Sequence, residues 1–142
     1  MTGRVLVDTG PLVALFFRRD AHHQACVEQL RLLSPPLLTC WPVITEAAWL
    51  LRGHPPAVRQ LLGAFPAGLL RLLTLEEEAA AWIAGFLRRY QGLGAQLADA
   101  ALVYLAERED TDQVFTLDRR DFSVYRFGRN RRLRLLPLRL SP

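Results

Sequence analysis

Arg4-Val5-Leu6-Val7-Asp8-Thr9-Gly10-Pro11-Leu12 decides how this chain is read. Arg4–Val7 is a short apolar run that reads as a buried strand. Thr9-Gly10-Pro11 then turns the chain, and Pro11 suits the first position of a helix because it has no amide hydrogen to satisfy there. A lone acid, Asp8, stands where the strand gives way to the turn.

The same alternation continues along the chain. Asp20 is placed to cap a helix through about Leu33, which Ser34-Pro35-Pro36 stops. Leu37–Cys40 reads as a second strand. Pro42 opens a helix through about Arg52, and another spans about Ala57 to Phe65. Leu69–Leu73 is a third strand. Thr74 and Glu77 have the spacing of a capping box before a helix reaching about Tyr90. Gly92 and Gly94 break that helix, and a further one runs from about Ala95 to Arg108. Gln113–Thr116 is a fourth strand and Leu133–Leu136 a candidate fifth. Strands alternating with helices imply an α/β fold, with a parallel sheet of four to five strands covered by helices. At 142 residues, with no repeat, linker or low-complexity tract, the expectation is a single domain over residues 1–142.

Four acids stand alone among apolar neighbours: Asp8, Glu46, Asp99 and Asp118. Asp8 and Asp118 lie just past strands, Glu46 in the first turn of the helix after the second strand, and Asp99 early in the helix before the fourth. Ligands of open parallel sheets bind beyond the carboxyl ends of the strands, and all four acids can converge there. Each has an ordinary role as well. Asp8 suits a helix cap, Glu46 a solvated stripe, and Asp118 a turn. Asp99 fits such a role least, since Asp is a poor helix former and its neighbours are apolar on every side. Asp121 suits a cap on a short turn before Phe122. Isolated carboxylates beside a core are costly unless something compensates them, and a shared divalent cation does so. Carboxylates holding hard cations are equipment for hydrolysing phosphodiesters.

Composition narrows the classes further. The net charge is +4, and all 18 basic residues are arginine. Without lysine there is no phosphate-binding loop ending in GK[ST], no lysine nucleophile, and no receiver-type phosphorylation site. A haloacid-dehalogenase-type phosphatase needs a second Asp two residues after the first, where this chain has Gly10. Arginine favours bidentate phosphate contacts. No apolar run reaches membrane-span length uninterrupted and no signal peptide is legible, so a cytoplasmic location is expected. Cys26 and Cys40 form no motif and read as buried free thiols. His22 and His23, being adjacent, do not share a helical face well enough to bind one ion.

Four segments, in this order and spacing, carry a resemblance: Val5-Leu6-Val7-Asp8-Thr9-Gly10-Pro11-Leu12, Ile44-Thr45-Glu46-Ala47, Leu97-Ala98-Asp99-Ala100-Ala101-Leu102, and Val114-Phe115-Thr116-Leu117-Asp118-Arg119-Arg120-Asp121-Phe122. Over essentially its full length the chain resembles the PIN-domain ribonucleases, especially the VapC-type toxins of bacterial toxin–antitoxin pairs. The resemblance implies a PIN-like three-layer α/β/α fold. It implies that Asp8, Glu46, Asp99 and Asp118 hold Mg²⁺ or Mn²⁺ and cut RNA, leaving 5′-phosphate and 3′-hydroxyl ends. Thr116 matches a hydroxyl residue beside the site and Asp121 an additional acid. One departure is Gly10, where relatives often carry Ser or Asn. A homodimer and a small antitoxin partner are implied too. The apolar surplus of Leu12, Val13, Leu15, Phe16 and Phe17 suits a dimer interface or, equally, the core. The alternatives are a non-toxin RNA-processing nuclease and a non-catalytic binding module on the same fold. Loss of one of the four acids would favour the module, and all four are present.

Overall fold

β1 (Val5–Val7) is buried along its whole length. That is the pattern of a central strand in a parallel sheet with both faces covered. The structure, a computed structural model, describes residues 3–139; the two ends of the expected 1–142 domain lie outside the described residues. After β1 come α1 (Thr9–Phe16), α2 (His23–Arg31), β2 (Leu37–Thr39), α3 (Trp41–Leu50), α4 (Pro55–Gly63) and β3 (Leu70–Leu72). Then follow α5 (Ala79–Arg89), a 3₁₀ turn at Gln91–Leu93, α6 (Leu97–Arg108), β4 (Gln113–Phe115) and α7 (Arg119–Phe122). The chain closes with β5 (Arg126–Phe127), β6 (Arg131–Arg132) and β7 (Arg134–Leu136).

β3, β2, β1, β4 and β7 lie side by side in that order, all parallel, in the three-layer α/β/α arrangement. Leu6 pairs with Leu38 on one side and Val114 on the other, and Val114 pairs onward with Leu135. α1 packs on α2, α3 and α4, while α6 packs on α5 and α3. β5 and β6 form a separate antiparallel hairpin that the sequence reading does not anticipate.

The order of strands positions the site. From β1 the chain moves outward to β2 and β3, and later returns to lay β4 on the opposite side of β1. The connections therefore diverge between β1 and β4, opening a crevice at their carboxyl ends. Helices in such crossovers run antiparallel to the strands, so their N-termini lie at that same edge.

Three local expectations are revised. α5 begins at Ala79 and has no side-chain cap, so the Thr74–Glu77 capping box does not form. Arg108 Nη1 instead takes the Thr74 carbonyl at 2.6 Å and Glu76 Oε2 at 2.7 Å, and a tertiary ion pair prevails over the local motif. Asp20 accepts from the His22 amide in the turn before α2, which starts later than expected. α1 starts at Thr9, so Pro11 occupies its third position. Cys26 and Cys40 are buried free thiols, as expected.

The apolar surplus of α1 goes mostly to the core. Leu12 is fully buried, and Val13, Leu15, Phe16 and Phe17 pack partly buried against it. Exposed large hydrophobics lie elsewhere, among them Trp41, Trp49 and Leu50 of α3 and Leu97 at the start of α6. α1 is therefore apolar nearly all round because it is sandwiched by three other helices.

Candidate active site

Asp8, Glu46, Asp99, Asp118 and Asp121 line one cavity of about 440 Å³. Thr9, Gly10, Gln96 and Leu117 complete much of its wall. Asp8 follows β1 directly, and its amide donates to the Phe115 carbonyl of β4 at 2.9 Å, which locks it into the crevice. Glu46 is the sixth residue of α3, which starts at Trp41, and so stands in its second turn rather than the expected first. Asp99 lies in the first turn of α6. Asp118 follows β4, and its Oδ1 caps α7 by accepting the Asp121 amide at 3.2 Å. The ordinary capping role thus belongs to Asp118, and Asp121 is the residue it caps.

Hydrogen bonds tie these acids to the scaffold. Thr116 Oγ1 donates to Asp8 Oδ2 at 2.9 Å and accepts the Asp118 amide at 3.0 Å. It is fully buried, so one hydroxyl fixes two of the acids relative to each other. Tyr125 donates its phenolic proton to Asp99 Oδ2 at 2.8 Å. The Tyr125 ring is fully buried among Phe86, Tyr90 and Phe122, which holds the hydroxyl in place.

The charges are not balanced by cationic side chains. Among the described residues, no arginine forms an ion pair with any of the five acids; all five ion pairs lie elsewhere. Burial pushes the Asp8 carboxyl up to about 7, and the charges of Asp99 and Glu46 push the same way. The Thr9 amide and Thr116 oppose the rise, although Asp8 makes no capping hydrogen bond to α1. Asp99 is also raised, by burial first and then by Asp118 and Glu46, against the Tyr125 hydrogen bond. Tyr125 itself is pushed up by burial and by the Asp99 carboxylate it faces.

Among the described residues, no three acidic, histidine or cysteine side chains already close round a common point as ligands. The donor set nevertheless fits a hard cation. It is all oxygen, and Mg²⁺ keeps several waters and needs only one or two carboxylates beside substrate oxygens. The mutual repulsion of the acids is the kind a divalent ion relieves.

The model of the PIN domain family matches residues 5–128. The chain belongs to the PIN-domain family. Ribonuclease VapC26 of Mycobacterium tuberculosis is 30% identical to it over 124 residues, 86% of this chain and 92% of that protein. This PIN chain is therefore VapC-like along nearly the whole of its relative. Two solved structures share its fold. One is VapC20 of Mycobacterium tuberculosis, described as a sarcin-ricin loop cleaving toxin, with a TM-score of 0.75 at 17% identity over 82% of this chain and 91% of that one. The other is a toxin–antitoxin complex from Klebsiella pneumoniae, with a TM-score of 0.66 at 16% identity over 86% of this chain and 92% of that one.

All six residues singled out from the sequence meet in this region of the PIN fold: five acids on the cavity wall and Thr116 just behind Asp8. Two contributors were missed. Tyr125 reaches Asp99 across 26 positions, and no spacing rule signals such a contact. Thr9 lines the cavity next to Asp8. A hydroxyl directly after a candidate ligand was the available signal, read only as part of a turn.

Proposed function

We propose that this chain is a divalent-metal-dependent endoribonuclease acting as the toxin of a toxin–antitoxin pair. The observation that carries the reading is the convergence of Asp8, Glu46, Asp99 and Asp118 at the β1–β4 crevice of a PIN fold. A bound Mg²⁺ or Mn²⁺ would supply Lewis acidity and a more acidic water as nucleophile. Asp8, Asp99 and Asp118 would hold the ion, with Thr116 and Tyr125 orienting Asp8 and Asp99. Glu46 ligates or accepts the attacking water's proton. Asp121 adds negative potential at the rim. Exposed Arg120, on the same short helix, offers a phosphate contact outside the cavity.

The partners proposed are RNA as substrate, a small antitoxin protein and a second copy of the chain. Support for the homodimer comes from α3 rather than α1. Trp41 and Trp49 are each more than half exposed and line one groove with the equally exposed Leu97, while Leu50, exposed as well, lies at the edge of the acid cavity. Apolar patches of this kind mark protein contacts. Among the described residues no helix is long and apolar enough to cross a membrane, and we place the protein in the cytoplasm.

Purified protein is incubated with single-stranded RNA and Mn²⁺ or Mg²⁺, with and without EDTA. Wild type cuts only with metal, while Asp99→Asn folds and does not cut. Equal cleavage by wild type and variant would falsify the site. Co-expression with any small reading frame encoded beside this gene tests the partner; a product that neither co-purifies nor suppresses cleavage removes the antitoxin.

A further inference from the structure

Among the described residues, Thr9 Oγ1 is the only buried side-chain nitrogen or oxygen without a hydrogen-bond partner. Buried hydroxyls are almost always paired, and an unpaired one requires an explanation. Inside a helix, threonine often bonds the carbonyl one turn back. Thr9 is the first residue of α1, and the residue one turn back belongs to β1. Thr9 is 3% exposed and stands on the wall of the acid-lined cavity.

The cavity has a second need. Its wall carries five acids and no arginine or histidine. A phosphodiester entering it meets repulsion from every carboxylate not engaged by metal. Neutral donors are then the groups available on the wall for its oxygens. The start of α1 offers them, because the first amides of a helix have no carbonyl within it to reach, and the helix dipole is positive there. Pro11 has no amide hydrogen and the Thr9 amide faces the Asp8 carboxylate, so the Gly10 amide is the one left free of a cap. Gly10 also lines the cavity, and a Cβ on it would sit 3.3 Å from Leu117 Cβ. The hydroxyl on this turn is therefore Thr9's.

We propose that the Thr9 hydroxyl, together with the Gly10 amide at the start of α1, binds a non-bridging oxygen of the RNA phosphate at the scissile position. The seat rests on the nuclease reading above. Thr9 contributes no proton and no ligand bond; it holds the phosphate by a hydrogen bond in the crevice beside Asp8.

The test is Thr9→Val, which keeps the shape and removes the hydroxyl, with Thr9→Ser as the variant that retains it. An unpaired hydroxyl is dispensable to the apo fold, so Thr9→Val melts at or above the wild-type temperature in EDTA. With Mn²⁺ and single-stranded RNA its kcat/KM falls about a hundredfold, the usual cost of one preorganised donor. Thr9→Ser stays within a few-fold of wild type. In an Asp99→Asn background, which does not cut, adding Thr9→Val weakens RNA binding severalfold. The seat is overturned if Thr9→Val cuts like wild type. It is equally overturned if that variant melts several degrees lower while losing activity, since the hydroxyl then serves the fold. If Thr9→Val does not fold, Thr9→Ser against Thr9→Ala gives the same comparison. If wild type cuts no RNA, or Asp99→Asn cuts equally, the nuclease reading fails and takes the seat with it. If only Thr9→Val is without effect, the seat alone fails.

Discussion

Replacing Asp8 with Asn stabilises the metal-free protein at pH 8 and leaves it nearly unchanged at pH 4. Asp8 is 6% exposed, and its carboxyl is raised from 3.8 to about 7, chiefly by burial. The folded state therefore keeps this proton to higher pH than the unfolded chain does. Between about pH 4 and pH 7 the unfolded state binds fewer protons, so stability falls as pH rises through that window and levels off above it. At about 1.4 kcal/mol per unit, the cost of carrying the charge at pH 8 is on the order of 4 kcal/mol. Asn cannot ionise, and its amide oxygen still accepts from Thr116, though less strongly than a carboxylate. A net gain of about 3 kcal/mol at pH 8 remains, roughly 6–12 °C in melting temperature for a domain of this size. The assay is urea unfolding in EDTA at pH 4, 6 and 8, followed by tryptophan emission. Mn²⁺ then reverses the order at pH 8, because it stabilises wild type by binding the folded state and the variant much less. Parallel pH profiles for the two proteins would show that Asp8 is not carrying this charge cost.

Tyr125→Phe removes the proton donated to Asp99 and keeps the ring packed against Phe86, Tyr90 and Phe122. The loss is about 1 kcal/mol by denaturation, and Asp99 rises further, so half-maximal cleavage moves to higher Mn²⁺; superimposable metal titrations refute the orienting role. Trp49→Glu puts a charge in the α3 patch, and light scattering at micromolar concentration then gives a monomer where wild type gives a dimer. A monomeric wild type removes the interface.

Much of this protein is legible in one dimension. The β1 run into Asp8, the Pro and Gly stops, and the alternation of strands with helices rest on local burial and backbone sterics, so each is readable from neighbours alone. The candidate acids were visible for the same reason: a single charge in an apolar segment is a local anomaly. Ends of elements shifted where a distant residue intervened, as Arg108 did at Thr74 and Glu76. Sequence left open whether the apolar residues of α1 face the core or a partner. That question turns on how many helices surround α1, a property of the packed molecule. Only the tertiary structure set β4 beside β1, which makes the crevice and brings Asp118 to Asp8 through Thr116. Only it supplied Tyr125 to Asp99 and left the Thr9 hydroxyl unpaired. These are contacts between residues far apart in the chain, or the absence of one, and both depend on which surfaces the long-range packing brings together.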